Sequence, residues 1–78
     1  MSDTPTRVIP MSPADLLDFE ARWPKHSGRK ETAIIRELGL DPARFYVELW
    51  RAAASLEGQA HDPITAHRVL RRAARTAA

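Results

Sequence analysis

Four arginines near the C-terminus, Arg68, Arg71, Arg72 and Arg75, stand at i, i+3, i+4 and i+7. That spacing places them on one face of a helix. A guanidinium is a rigid fork of donors that matches a phosphate, and every phosphate neutralised releases counterions. Such a row therefore suits a polyanion, above all a duplex DNA backbone. The plainer reading of the same row is a solvated face, or one paired with Glu48 or Glu57. A second set of cations, Arg29, Lys30, Arg36, Arg44 and Arg51, surrounds the middle of the chain. Arg29 and Lys30 fall near an expected helix start, where the helix dipole also favours anions. Glu31 and Glu37 are interleaved with them, as on an ordinary solvated helix.

Other chemistries find little support. The three histidines, His26, His61 and His67, do not share the i, i+3 or i+4 spacing of a metal pair on one helix. Cysteine is absent, which removes disulfides, thiolate metal sites and cysteine nucleophiles. There is no phosphate loop, no nucleophile elbow and no evident carboxylate pair facing a cleft. We therefore expect no enzyme, no metal and no cofactor.

With 78 residues and 28% charged side chains the chain has room for one small globular core. Ten arginines stand against two lysines, and the charge is uneven. From Pro63 onward there are four arginines and no acid, whereas the segment before it is slightly acidic. No apolar run approaches the ~18 residues of a membrane span. The polar, proline-bearing start lacks the basic-then-apolar pattern of a secretory signal, so a cytoplasmic location is expected.

The elements that must position these residues are legible as helices. Residues 1–11 read as a flexible N-terminal arm, with a single helical domain over 12–78. Ser12-Pro13-Ala14-Asp15 is a helix start, followed by an apolar stripe of Leu16, Phe19 and Trp23 that Pro24 ends. Lys25 to Gly28 reads as a loop. A second helix is predicted over 29–38, with Ala33, Ile34 and Leu38 inward, Ile35 at the flank, and Lys30, Glu31, Arg36 and Glu37 mostly facing solvent. Gly39 stops it. Asp41-Pro42 starts a third helix running to about Leu56, with Phe45, Leu49, Ala52, Ala53 and Leu56 buried and Gly58 as its end. Asp62-Pro63 starts a fourth, in which Ala66, Val69, Leu70, Ala73 and Ala77 oppose the arginine row. No alternating β-branched run suggests a strand.

The second and third helices are joined by Leu38-Gly39-Leu40, the sequence look of a helix-turn-helix. Ile35 occupies the place where that motif usually has a small residue. The positions of the third helix that would face a DNA groove include Ala43, Tyr46 and Val47, with Asp41, Pro42 and Trp50 beside them. None is the Asn, Gln or Arg that usually reads a base edge. Arg44 and Arg51 flank this surface within reach of phosphates. Trp50 and Tyr46 lie at the edge of the apolar stripe, either as core or as exposed anchors for a partner.

The string Phe19-Glu20-x-x-Trp23, Gly28-x-Lys30-Glu31-x-Ala33-Ile34, Leu38-Gly39-Leu40, Arg44-Phe45-Tyr46-x-x-Leu49, Asp62-Pro63 and Arg68-x-Leu70-Arg71-Arg72 resembles a small actinobacterial family, domain of unknown function 3263. The resemblance spans nearly all of 16–72. It implies a helix-turn-helix-like fold and a regulatory role. The chain departs from it in having Trp23-Pro24 for a Trp-Trp pair and Phe45-Tyr46 for a Tyr-Tyr pair.

The expectation is thus an all-α, four-helix domain with a tri-helical helix-turn-helix core and a C-terminal basic amphipathic helix. Its expected function is that of a small DNA-binding regulator, acting as a dimer because two half-sites supply the specificity that one poor reader lacks. Its contacts would come from Arg29, Lys30, Arg36, Ala43, Arg44, Tyr46, Val47, Arg51 and the Arg68, Arg71, Arg72, Arg75 row. The alternative is a protein-interaction module or homo-oligomer that uses an aromatic patch of Tyr46, Val47 and Trp50, for example on the transcription machinery.

Overall fold

A computed structural model describes residues 11–77, with side chains as far as Arg75. The arm expected over 1–11 lies outside them except for Met11, which packs against the core. The place expected for the Ala77 side chain also lies outside them. The described chain is all-α and contains five helices rather than the expected four: α1 (Pro13–Arg22), α2 (Gly28–Ala33), α3 (Pro42–Ala54), α4 (Leu56–His61) and α5 (Pro63–Ala77).

Local chemistry explains the boundaries. Ser12 accepts from the Asp15 amide at 3.1 Å, and the Asp15 carboxylate accepts from the Ser12 amide at 3.3 Å. This reciprocal box satisfies two orphan amides of α1, and a cap of this kind contributes about 1 kcal/mol. Ser27, expected in a loop, caps α2 by accepting from the Lys30 amide, so the second helix starts at Gly28. It does not run on as a straight α-helix. Ile34–Leu38 forms one wider π-helical turn. The amides of Gly39 and Leu40 close back on the carbonyls of Ile35 and Ile34, with Gly39 at a left-handed φ of 66°. Only glycine adopts that φ without strain. Asp41 then caps α3 through the amides of Ala43 and Arg44.

The third helix ends two residues earlier than expected. Ser55 turns the chain: its hydroxyl donates to the Ala52 carbonyl at 2.7 Å and accepts from the Gly58 amide at 3.0 Å, closing α3 and opening α4. Two expectations fall with that turn. Leu56, placed in the buried stripe, is 87% exposed. Gly58, read as a helix end, is buried inside α4, where a Cβ would lie 2.0 Å from the Ala52 carbonyl oxygen. Asp62 starts α5 by accepting from the Thr65 amide at 3.0 Å.

The central helix is α3, packed between α1 and α5. Phe19 of α1 meets Phe45 of α3 edge to face at 5.4 Å, with Leu17, Leu49, Ala53, Ala66 and Val69 filling the space around them. Ile34 on the π-turn is buried in the same core, whereas its neighbour Ile35 points outward. Area burial on this scale, ~25 cal/mol per Å², is the main force holding the short helices, since none of six residues persists alone.

Candidate functional site

A concave apolar surface lies between α3 and α5. Tyr46, Val47, Leu49 and Trp50 form one wall, Val69, Arg72 and Ala73 the other, around about 560 Å³. Helical spacing explains the α3 wall. Leu49 is the buried centre of the helix, and Tyr46 and Trp50 follow one flank of it, with Val47 further round. Val47 is 48% exposed and Trp50 49% exposed. Trp50 is thus half-exposed on the rim rather than part of the core.

One wall is held from beneath by a buried charge cluster that the sequence did not reveal. Lys30, expected to face solvent and contact phosphate, is fully buried. Its ammonium donates to Glu20 Oε1 at 2.5 Å, and Glu20 is fully buried too. The same ammonium faces the rings of Tyr46 at 5.1 Å and Phe45 at 5.7 Å. Charge and two ring quadrupoles compensate its desolvation. Lys30 is therefore no candidate for a DNA contact. A signal existed. Glu20 stands four residues after Leu16 and Lys30 four before Ile34, each within the apolar stripe of its helix, and two opposite charges so placed read as a buried pair.

Arg72 completes the cluster. Its guanidinium lies 3.5 Å from Glu20 Oε2 and donates to the Pro24 carbonyl at 3.2 Å. The arginine row is consequently divided. All four are exposed, but Arg72 also ties α5 to the end of α1. Glu20 meets this row at Arg72, and Arg68 lies within electrostatic reach of Asp62. Glu48 instead holds Arg44 at 3.1 Å and Arg51 at 3.6 Å on the outer face of α3. Arg29 at the start of α2 and Arg36 on the π-turn are exposed, and Ala43 is exposed near the start of α3.

Tyr46 is half-buried, and its hydroxyl lies 2.8 Å from His26 Nδ1, whose Nε2 lies 3.3 Å from Glu31 Oε2. This chain fixes the tyrosine ring at the head of the groove. On the opposite side His61 Nε2 lies 2.8 Å from Asp18 Oδ1, joining α4 to α1. That bond, with the charges of Asp18, Asp62 and Asp15, raises the His61 pKa above the ordinary 6.5. The amide and hydroxyl of Thr65 lower the Asp62 pKa below the ordinary 3.8. Among the described residues no three histidine or acidic side chains gather as a metal site would require. No described helix is long and apolar enough to cross a membrane.

No curated protein and no solved structure matches the chain. The sequence pattern of one family does match, over residues 10–78, and therefore across every element described above. The chain belongs to that family, described as protein of unknown function (DUF3263).

Proposed function

We propose that this domain is a protein-docking module of the cytoplasm, acting by binding rather than catalysis, with the α3–α5 groove as its contact surface. The observation that carries this reading is the half-exposed Trp50–Val47 pair on the rim of an apolar groove. Aromatic anchors beside a groove are where binding energy concentrates at protein interfaces. The outer face of α3 also fits a protein better than a DNA groove. It offers Ala43, Val47 and Trp50, and Glu48 draws both flanking arginines to itself.

A photo-crosslinking side chain installed at Val47, in cells of the source organism, tests the proposal. Protein adducts at Val47 but not at the more exposed control position Leu56 are the expected result. Adducts to nucleic acid alone would overturn it.

A second reading, a transcription regulator bound to duplex DNA, is favoured by one specific observation. Arg68, Arg71 and Arg75 are exposed along α5. The short turn at Gly39 joining α2 to α3 fits the same reading as a helix-turn-helix. If those arginines touch phosphates, their replacement by alanine flattens the log–log salt dependence of duplex binding by about 2–3 units. Absence of duplex binding at ~50 mM salt excludes this reading.

A further inference from the structure

We infer that the α3–α5 groove receives an amphipathic helix of a partner protein whose apolar stripe is flanked by carboxylates, an inference that rests on the docking reading above. The occupant's shape follows from the walls. Two helices bound the groove, and the valley between two helices accepts the side-chain ridges of a third. The described residues form no strand, so they offer no sheet edge on which an extended peptide could add a strand.

The occupant's charge follows from the rims, which differ. On the α3 side the rim is apolar, made by Trp50 and Val47. On the α5 side Arg72 lines the groove, and Arg68 and Arg75 lie one turn before and after it on the same flank. Arg72 is held by Glu20 and the Pro24 carbonyl, so the centre of this rim is placed before any partner arrives. Among the described residues no acidic side chain lines the groove, and Glu48 is occupied on the outer face of α3. An occupant with one apolar face and carboxylates along one side matches floor and rim together. A second copy of this chain docked groove to groove would bring two arginine rims together, which like-charge repulsion opposes. A phosphate backbone leaves the apolar floor without a contact.

The test uses the full 78-residue chain and a labelled model peptide of about 18 residues, five helical turns, with leucine at i, i+3, i+4 and i+7 and glutamate elsewhere. A lysine-for-glutamate version and a scrambled leucine–glutamate version serve as comparisons. By fluorescence anisotropy at ~50 mM salt, the glutamate helix should bind at least about tenfold tighter than either. The surface pair Arg68→Glu with Arg75→Glu should reverse the preference toward the lysine peptide. Trp50→Ala should weaken the glutamate helix by at least about tenfold, with the circular dichroism of the chain unchanged.

Several outcomes overturn the inference. They are equal affinity for the two charged peptides, binding indifferent to the charge-reversed pair or to Trp50→Ala, no binding at all, and self-association that Trp50→Ala abolishes. If Val47 still crosslinks to protein when the glutamate helix fails to bind, the docking reading stands and only the acidic-helix class falls. If Val47 crosslinks to nucleic acid alone, both fall.

Discussion

Glu20 of α1 and Lys30 of α2 bury a carboxylate and an ammonium 2.5 Å apart, with no exposure of either side chain. The pair is ten residues apart in sequence, yet it joins four elements at once. The ammonium sits against the Phe45 and Tyr46 rings of α3, and the second carboxylate oxygen meets Arg72 of α5. Removing Glu20 leaves the Lys30 ammonium as an uncompensated buried charge.

Glu20→Ala should therefore cost about 3–5 kcal/mol, a large part of the stability of a domain this small. Urea unfolding followed by circular dichroism measures it. A loss below about 1 kcal/mol would mean that Lys30 finds water without disturbing the core.

Gly58→Ala should destabilise the fold although alanine is the better helix former. The added methyl would meet the Ala52 carbonyl oxygen at 2.0 Å and Leu17 Cδ1 at 3.1 Å, so α4 must move away from α3. Overpacking of this kind costs about 1–3 kcal/mol or more. An unchanged thermal midpoint would contradict the close approach of the two helices.

Neighbouring positions on α3 should separate structure from binding. Leu49→Ala, in the core, should lose about 2–5 kcal/mol. Trp50→Ser, on the rim, should lose less than about 1 kcal/mol while weakening any groove-bound ligand. Comparable losses of stability at both positions would place Trp50 in the core instead.

Stability should depend on pH through His61. Its bond to Asp18 raises its pKa in the folded state above 6.5, so folding favours the protonated ring. That contribution is fully present below 6.5 and is lost as pH rises through the folded value. His61→Gln should remove this part of the pH dependence in urea midpoints measured from about pH 5 to 9. Identical pH profiles for the two proteins would refute the linkage.

Asp62 acts in the opposite direction. The Thr65 amide and hydroxyl lower its pKa, so its contribution is present above 3.8 and lost as pH falls through the lowered value. Asp62→Asn, which keeps a capping oxygen, should flatten the acid limb of the stability curve. An unchanged acid limb would show that the carboxylate charge is not what α5 uses.

Most helix starts were legible because their causes lie within a few residues of chain. Ser12-Pro13, Asp41-Pro42 and Asp62-Pro63 each place a side-chain acceptor over amides that no other group in the helix can satisfy, and the φ of 66° at Gly39 is a local matter as well. The family pattern was legible for the same reason, being carried by these positions and by the aromatic stripe. Ser55 was harder. A serine among Ala54 and Leu56 reads as helix interior, and only its hydroxyl bonds to both Ala52 and Gly58 make it a corner.

The sequence alone determined an all-helical chain with caps at set places, an amphipathic α5 and the family to which it belongs. The tertiary structure decided which polar residues are paired across helices. Lys30 looks like a surface cation but is buried against Glu20, ten residues away, and Glu20 also meets the partly exposed Arg72, 52 residues away. It also decided that Trp50 is a rim and not a core residue, since that depends on how closely α5 approaches α3. Periodicity assigns a residue to a face of its own helix. Whether that face is covered, and whether a charge on it is paired, depends on the other helices packed against it.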